Sequence, residues 1–274
     1  MRLAISNIAW PAADDAAMLP FVAQSGLAGL EIAPTRIFPE QPYADLGRAK
    51  TWADELRERY GLCVPSMQSI WYGRTEKIFG DSADRERLID YTRRAILFAE
   101  AIGCPNLVFG NPRNRDTDDV AAARPVALEF FRRIGDFAAE HGTVIALEPN
   151  PPIYSTRFMN RTGEAAEIAA ATGCEGVKVN VDLGTIIENG EDIEELRHMV
   201  PLINHVHISE PYLAPVERRP LHRRLFILLA ETGYDRFVSI EMGAKTAADN
   251  VKSIINYITD TYNDASTPAG STGV

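Results

Sequence analysis

Hydrophobic positions in this chain fall into short runs that alternate with longer stretches of helical periodicity. The short runs are continuously apolar or alternate apolar with polar residues, which is typical of buried strands. Each run is followed by a segment whose apolar residues recur every three to four positions, as on one face of a helix. Eight such strand–helix units occur, with strands predicted at residues 3–9, 29–33, 63–69, 106–110, 143–149, 177–182, 203–209 and 237–242.

This alternation predicts an α/β fold. Strands separated by helices pair in parallel through right-handed crossovers, and eight units in about 250 residues suffice to close a (β/α)8 barrel, the TIM barrel. A doubly wound open sheet is the alternative, but it needs fewer strands or a second domain, and no linker divides the chain. No Gly-x-Gly-x-x-Gly motif follows the first strand. We predict one barrel domain over residues 1–262 and a flexible C-terminal tail over residues 263–274.

Four of the predicted strands carry a potential metal ligand near their carboxyl ends. Glu148, Asp182, His207 and Glu241 belong to the fifth, sixth, seventh and eighth strands and lie 34, 25 and 34 residues apart. Each spacing is about one strand–helix unit. In a barrel, these side chains would therefore lie at similar heights on neighbouring strands and point into one mouth, where such barrels place their active sites.

Three carboxylates and one imidazole form a hard, mostly oxygen ligand set for a single divalent ion. The set fits Mn²⁺ or Mg²⁺ best, with Co²⁺ and Zn²⁺ as further candidates. Without a cation, three crowded carboxylates would raise one another's pKa. Any one of the four residues alone could be a helix cap, a salt-bridge partner or a core histidine, but all four at matching strand ends favour a metal site.

The ordered set in "LEPN", "VDLGT", "HVHISEP" and "GYDRFVSIEM" resembles the xylose-isomerase-like TIM-barrel superfamily. Its members include sugar and sugar-phosphate isomerases and epimerases, such as tagatose 3-epimerase, and the resemblance runs from the first strand to the last helix. It implies that Glu148, Asp182, His207 and Glu241 bind one divalent metal. It also implies that Glu148 and Glu241 are the catalytic acids and bases, which move a proton through an enediolate.

Two departures from the ketose 3-epimerases affect the predicted substrate. Those enzymes have a His three residues after the Asp ligand, where this chain has Thr185, and an Arg shortly after the His ligand, whereas "HISEPYLAP" is not followed by an Arg until Arg218. Their ketohexose specificity therefore does not carry over. Endonuclease IV, a relative with the same barrel, builds a zinc cluster from many histidines, and this chain has 5. A nuclease activity is disfavoured.

Further polar and aromatic residues are expected at the mouth, where they are candidates for substrate contacts. Asn and Gln offer a donor and an acceptor to sugar hydroxyls, although each could also serve loop capping or packing. Glu210 could instead be an alternate ligand or cap the next segment. We interpret the arginines of "ERRPLHRRL" (217–225) as a solvated helix face or subunit contact, although they or Arg113 and Arg115 could reach an anionic substrate group. The candidates are Asn7, Trp10, Glu31, Gln68, Asn111, Asn150, Glu210, His222 and Lys245.

Composition narrows the class of partner. A net charge of −10 disfavours binding to nucleic-acid phosphates. No run approaches the roughly 18 apolar residues of a membrane helix, and the N-terminus reads as a strand rather than a signal peptide. Cys63, Cys104 and Cys174 are widely spaced, as is typical of reduced thiols. We expect a cytoplasmic protein without nucleic-acid or membrane partners, and the resemblance adds a homodimer or homotetramer.

The sequence therefore predicts a divalent-metal-dependent isomerase or epimerase of carbohydrate metabolism, with a small polyol or keto-sugar as substrate. A metal-dependent lyase or dehydratase acting on a keto-sugar or keto-inositol is the alternative among enzymes, because the same metal and base can expel a β-hydroxyl. A non-catalytic sugar-binding barrel is the alternative from another class; it predicts a lost ligand, and none of the four is lost.

Overall fold

A curled parallel sheet forms the centre of the molecule, in a computed structural model that describes residues 1–266. Within these residues, seven strands pair in the order β2-β1-β7-β6-β5-β4-β3, each parallel to its neighbour. All lie within the predicted strand segments except for the first residue of β1. The strands are β1 (Arg2–Ser6), β2 (Gly29–Glu31), β3 (Leu107–Phe109), β4 (Ile145–Leu147), β5 (Val177–Asp182), β6 (Ile203–Ile208) and β7 (Phe237–Ile240).

The remaining gap between β2 and β3 is filled by residues 63–67, which we call the bridging segment. It makes isolated parallel bridges, from Cys63 to Gly29 and from Met67 to both Ile32 and Leu107, and not a continuous ladder. Pro65 lies at its middle and has no N–H to donate, which prevents an uninterrupted strand. With this segment in the position of the eighth strand, the sheet closes, and the predicted (β/α)8 barrel is confirmed.

Helices surround the sheet and follow the strands as expected. One predicted helix differs: in place of a helix near residues 191–200, the chain forms two short 3₁₀ helices (Ile193–His198 and Val200–Leu202). A short α-helix begins earlier, directly after Asp182. The Asp182 carboxylate accepts a hydrogen bond from the backbone N–H of Thr185, so this strand end is also a helix N-cap. The helices are α1 (Asp15–Gln24), α2 (Pro34–Ile37), α3 (Leu46–Tyr60), α4 (Ser82–Ile102), α5 (Val120–Glu140), α6 (Thr162–Thr172), α7 (Leu183–Asn189), α8 (Pro220–Glu231) and α9 (Ala248–Ser266).

The strands are buried on both faces, as parallel strands covered by helices must be. In β6, Val206 and Ile208 face the helices, whereas His205 and His207 share the opposite face and point into the barrel. The barrel interior is therefore partly polar, and polar groups inside a protein need partners. Those partners make up the site described below.

The C-terminal part of the chain ends in a helix. Helix α9 runs to Ser266 and so continues past residue 262, where we placed the end of the barrel domain. Residues 267–274 lie outside the described residues, and the flexible tail there stays a prediction. In the described part of the chain, no helix combines the length and apolar character needed to cross a membrane.

Candidate active site

His207 lies at the centre of a cluster of acids at the carboxyl end of the barrel. Its Nδ1 is 3.1 Å from Oε1 of Glu148 and 3.2 Å from Oε2 of Glu241. With Asp182, the ligand atoms of these residues all lie within 4.8 Å of one another. The sheet sets their heights, because its ladder pairs Asp182 with His207 and His207 with Ser239, two residues before Glu241. The structure thus brings together the four ligands expected from the sequence.

The other nitrogen of His207 faces a carboxylate deeper in the barrel. Nε2 lies 2.9 Å from Oε2 of Glu31, which also lies 3.1 Å from Nε2 of His205. The second oxygen of Glu31 accepts a hydrogen bond of 2.9 Å from Gln68. A carboxylate on Nε2 fixes the proton there and leaves the Nδ1 lone pair for an ion, an arrangement common to metal-binding histidines.

Asp182 is held by hydroxyl and backbone donors. Its Oδ2 accepts hydrogen bonds from the backbone N–H of Thr185 at 2.7 Å and from Oγ1 of the same residue at 2.9 Å. Its Oδ1 accepts one from the hydroxyl of Ser209. Thr185 is fully buried, so the residue that replaces the histidine of the 3-epimerases supports a ligand and does not reach into the mouth.

Without a cation, the carboxyl groups of the cluster cannot all lose their protons at neutral pH. Burial raises the pKa of Glu241 to about 7, with Glu148 and Asp182 adding to the effect and His207 opposing it. Burial, followed by the charge of Glu148, also raises the pKa of Asp182. Burial lowers the pKa of His207, but the carboxylates of Glu241 and Glu31 more than offset this and hold it well above its usual range. The donor set therefore fits a divalent cation, which would replace the protons that these groups otherwise retain.

A cavity of about 260 Å³ opens above the cluster. Four of the expected substrate contacts line it, namely Gln68, Asn111, Asn150 and Glu210. Asn111 has a left-handed backbone (φ 43°), and its buried Oδ1 has no hydrogen-bond partner within the described residues. An acceptor held in this way suits a substrate hydroxyl.

The other expected contacts lie away from the cavity lining. Asn7 accepts a hydrogen bond from the backbone N–H of Ala33 at 2.9 Å, and Glu31 lies beneath His207. The indole N–H of the buried Trp10 donates to a side chain on α1. His222 is fully buried against a tyrosine of α9. The Lys245 ammonium donates to the backbone carbonyl of Tyr212 at the rim.

Glu210 lines the cavity and forms an ion pair with Arg219. Nε and Nη2 of Arg219 each lie 2.7 Å from one of its two oxygens, in the bidentate geometry that gives strong pairs. Among the described residues, Glu210 belongs to neither of the two groups of side chains that could hold a metal ion. Arg219 therefore has an internal partner, unlike the solvated face expected for its segment, whereas Arg224 pairs with surface acids on the neighbouring 3₁₀ turn.

Asn180 and Tyr154 lie at the site and were not among the expected contacts. Nδ2 of Asn180 lies 2.8 Å from Oε1 of Glu148 and 3.2 Å from Nδ1 of His207. Its position two residues before Asp182 on the same strand was a usable signal, because alternate strand residues share a face. Tyr154, in the loop after β4, lines the cavity and carries no comparable sequence signal.

Arg115 lies fully buried behind the cluster. It donates to the backbone carbonyl of Glu148 at 3.0 Å and to Oδ1 of Asn150 at 2.6 Å. Burial lowers its pKa to about 9, against the opposing charge of Glu148. It supports the wall of the cavity and, unlike the exposed Arg113, it is not free to meet solvent.

Known proteins share this architecture. The structure is similar to 3-keto-D-glucoside 4-epimerase from E. coli, with 18% identity and a TM-score of 0.72 over 96% of this chain and 99% of that one. D-psicose 3-epimerase from Clostridium cellulolyticum H10 has 16% identity and a TM-score of 0.74, over 97% and 96%. A family 2 AP endonuclease from Brucella melitensis has 21% identity and a TM-score of 0.71, over 91% and 96%.

Likeness at these identities establishes the shared fold, and sequence comparison establishes the family. No curated protein sequence matches the chain. The sequence model of the xylose isomerase-like TIM barrel family matches residues 19–261, nearly the whole described barrel. The chain belongs to the xylose isomerase-like TIM barrel family.

Proposed function

We propose that this protein is a divalent-metal-dependent epimerase or isomerase of a small polyhydroxylated keto compound, a sugar or a sugar-like molecule. One observation carries the proposal: the carboxylates of Glu148 and Glu241 both lie within 3.2 Å of Nδ1 of His207, and both line the same cavity. Two carboxylates at one opening can remove a proton from a carbon and return it. The epimerases among the similar structures support this reaction class.

The metal would be held by Glu148, Asp182, His207 and Glu241. The hard oxygen donors favour Mn²⁺ or Mg²⁺. When bound, such an ion supplies positive charge that acidifies a hydrogen on the carbon next to a carbonyl. The chain's own residues then provide the proton transfer and the positioning.

Glu148 and Glu241 are the proton-transfer residues in this proposal, one removing the proton and the other returning it. Asn180 and Asn150 donate to the Glu148 carboxylate at 2.8 and 3.4 Å and restrict its orientation. Asn111 and Asn150 line the cavity, and an amide side chain can both donate to and accept from the hydroxyl groups of a substrate. The cavity lies at the small end of ligand sites, which suits a single sugar ring.

The test is proton exchange between substrate and solvent. The Mn²⁺-loaded protein is incubated in D₂O with ketoses, keto-inositols and their phosphates, and deuterium incorporation and products are read by NMR. We expect exchange at a carbon next to the carbonyl, and a loss of at least about a hundredfold in both Glu148→Gln and Glu241→Gln. The products separate an epimer or isomer from the dehydrated compound of a lyase.

Glu167→Gln is the matched control, because Glu167 is an exposed residue of the outer helix α6 and does not belong to the cluster. Exchange that persists at the wild-type rate in both active-site variants would refute the assigned roles. Protein that holds no metal after native purification and does not respond to added Mn²⁺ would favour the non-catalytic sugar-binding barrel instead.

A further inference from the structure

Tyr212 is an exposed aromatic residue with an unusual backbone at the rim of the cavity. It lies in the loop after β6, and 58% of its surface is exposed. Tyr212 (φ 61°) and the next residue, Leu213 (φ 51°), both adopt the left-handed conformation that glycine favours. Two successive non-glycine residues hold this conformation only when their surroundings enforce it, and such strain concentrates at ligand-binding sites.

Two neighbouring loops enforce the conformation. The backbone N–H of Tyr212 donates to the hydroxyl of Tyr154, in the loop after β4, at 2.7 Å. From the loop after β7, Lys245 donates to the backbone carbonyl of Tyr212, and the N–H of Gly243 donates to that of Leu213 at 3.0 Å. The backbone that carries the exposed ring is therefore held in place although it belongs to a loop.

That position is next to the cavity. Tyr154 and Leu213 both line the cavity, and the rings of Tyr154 and Tyr212 lie 6.0 Å apart at 56°. A large exposed aromatic side chain on a firmly held backbone is a typical ligand contact, because a tyrosine ring offers apolar area and loses only two side-chain torsions.

The charges around the cavity favour an uncharged ligand. Of the described residues, those that line the cavity include no lysine or arginine, and Glu210 is already paired with Arg219. The three ligand carboxylates carry more negative charge than one divalent ion neutralises. A phosphorylated or carboxylated ligand would meet repulsion here, whereas a neutral sugar would not.

We propose that the substrate is a neutral glycoside whose reacting sugar ring carries the keto group and occupies the cavity, while its aglycone or second sugar ring stacks on Tyr212. The proposal rests on the proposed function for the occupant of the cavity, and it adds a second binding position outside it. The apolar face of a sugar or aryl ring packs well on a tyrosine ring, and the cavity itself has room for one ring.

The test measures binding, independently of turnover. Matched methyl and phenyl glycosides of D-glucose, D-galactose and D-mannose, as both anomers, serve as unreactive stand-ins without the keto group. They are titrated into the Mg²⁺-loaded full chain by ligand-observed NMR. We expect at least one pair in which the wild type binds the phenyl glycoside about tenfold more tightly. Tyr212→Gly should reduce that ratio to within about twofold while leaving the methyl glycoside's affinity unchanged. Glycine suits the left-handed backbone, so this variant removes the ring without opposing the loop conformation.

Tyr212→Phe should retain the phenyl preference, because it keeps the ring face. Tyr72→Ala should also retain it, since Tyr72 is a comparably exposed tyrosine, at 71%, that lies in a different loop, after the bridging segment. A wild type that binds neither glycoside of any pair or shows no preference, or a Tyr212→Gly variant that keeps the preference, overturns the proposal. Deuterium exchange with free ketoses tests the proposed function separately. A negative result in the glycoside titration therefore does not affect the conclusion from the exchange assay, and the reverse also holds.

Discussion

Glu31 on β2 and His207 on β6 are 176 residues apart in sequence, and Oε2 of Glu31 lies 2.9 Å from Nε2 of His207 inside the barrel. Glu31 is fully buried, and burial raises its pKa, but His207 and His205 more than offset this and hold it well below the usual range. The pair orients the imidazole from below, so that Nδ1 faces the acids at the mouth. Glu31 thus acts on the proposed ion through His207 without touching it.

Replacing this carboxylate should weaken metal binding. In Glu31→Gln the side chain keeps its size but loses the charge that fixes the proton on Nε2 of His207. We expect Mn²⁺ affinity to fall about ten- to a hundredfold, the usual effect of losing a partner of a metal-bound histidine. Isothermal titration calorimetry measures it, with Glu167→Gln as the control. An unchanged affinity would show that the histidine needs no such support.

Metal affinity should depend on pH through the protons that the cluster retains. With a pKa of about 7, Glu241 keeps its proton below neutrality and loses it above, and the pKa of His207 lies well above its usual value. An ion must displace these protons, so affinity should rise with pH by about tenfold per unit for each proton displaced. Calorimetry in two buffers of different ionisation enthalpy should detect about one to two protons released near pH 7. Constant affinity from about pH 5.5 to 8 would contradict this.

Gly110 leaves the space that the Glu148 carboxylate occupies. A Cβ at this position would lie 2.6 Å from Oε2 of Glu148, the far end of a flexible side chain. Gly110→Ala should therefore turn the carboxylate away and lower Mn²⁺ affinity about tenfold or more. The thermal midpoint should move by less than about 3 °C, since under 1 kcal/mol is at stake.

The matched control for this substitution is Gly163→Ala, where the nearest atom to the new Cβ is Cε of Met199 at 3.9 Å. It should leave metal affinity unaltered. If Gly110→Ala binds Mn²⁺ as the wild type does, Glu148 is not confined to the position that the structure shows.

Thr185→Val tests the support of Asp182. Valine keeps the shape but removes the hydroxyl that lies 2.9 Å from both Oδ2 of Asp182 and the carbonyl of Pro149. Loss of a buried hydrogen bond to a charged group should lower the free energy of unfolding by about 2 kcal/mol. Urea denaturation measures it. Thr51→Val, which removes an exposed hydroxyl bond on α3, should change it by less than about 0.5 kcal/mol. Equal effects of the two variants would show that the Thr185 hydroxyl does not stabilise Asp182.

The fold was predictable because its signal is repetitive. The alternation of strands and helices identified the barrel, and the strand segments were placed to within a few residues. The bridging segment is the exception: its apolar residues resemble a strand, but whether Pro65 breaks the ladder depends on which neighbours its backbone meets. Likewise, helix α7 was missed because it needs only the cap at Asp182 and a few residues.

The site was predictable where the strands determine it. His207 and the three acids could be placed because strand ends in a barrel converge. Contacts carried by loops could not be placed in this way: Arg219 reaches Glu210 across a long loop, and Trp10 turns away to hydrogen-bond within its own segment. Loop paths depend on tertiary contacts that leave little trace in local sequence patterns.

The ladder that aligns Asp182 with His207 has an evolutionary consequence. Because backbone pairing positions the proposed metal ligands, mutations that lengthen or replace the loops above can accumulate without dispersing them. Selection can then alter what the protein recognises while the proton-moving machinery is inherited intact. Proteins that descend from such a barrel can therefore change substrate by changing the loops at its mouth, while the residues on the strands are kept.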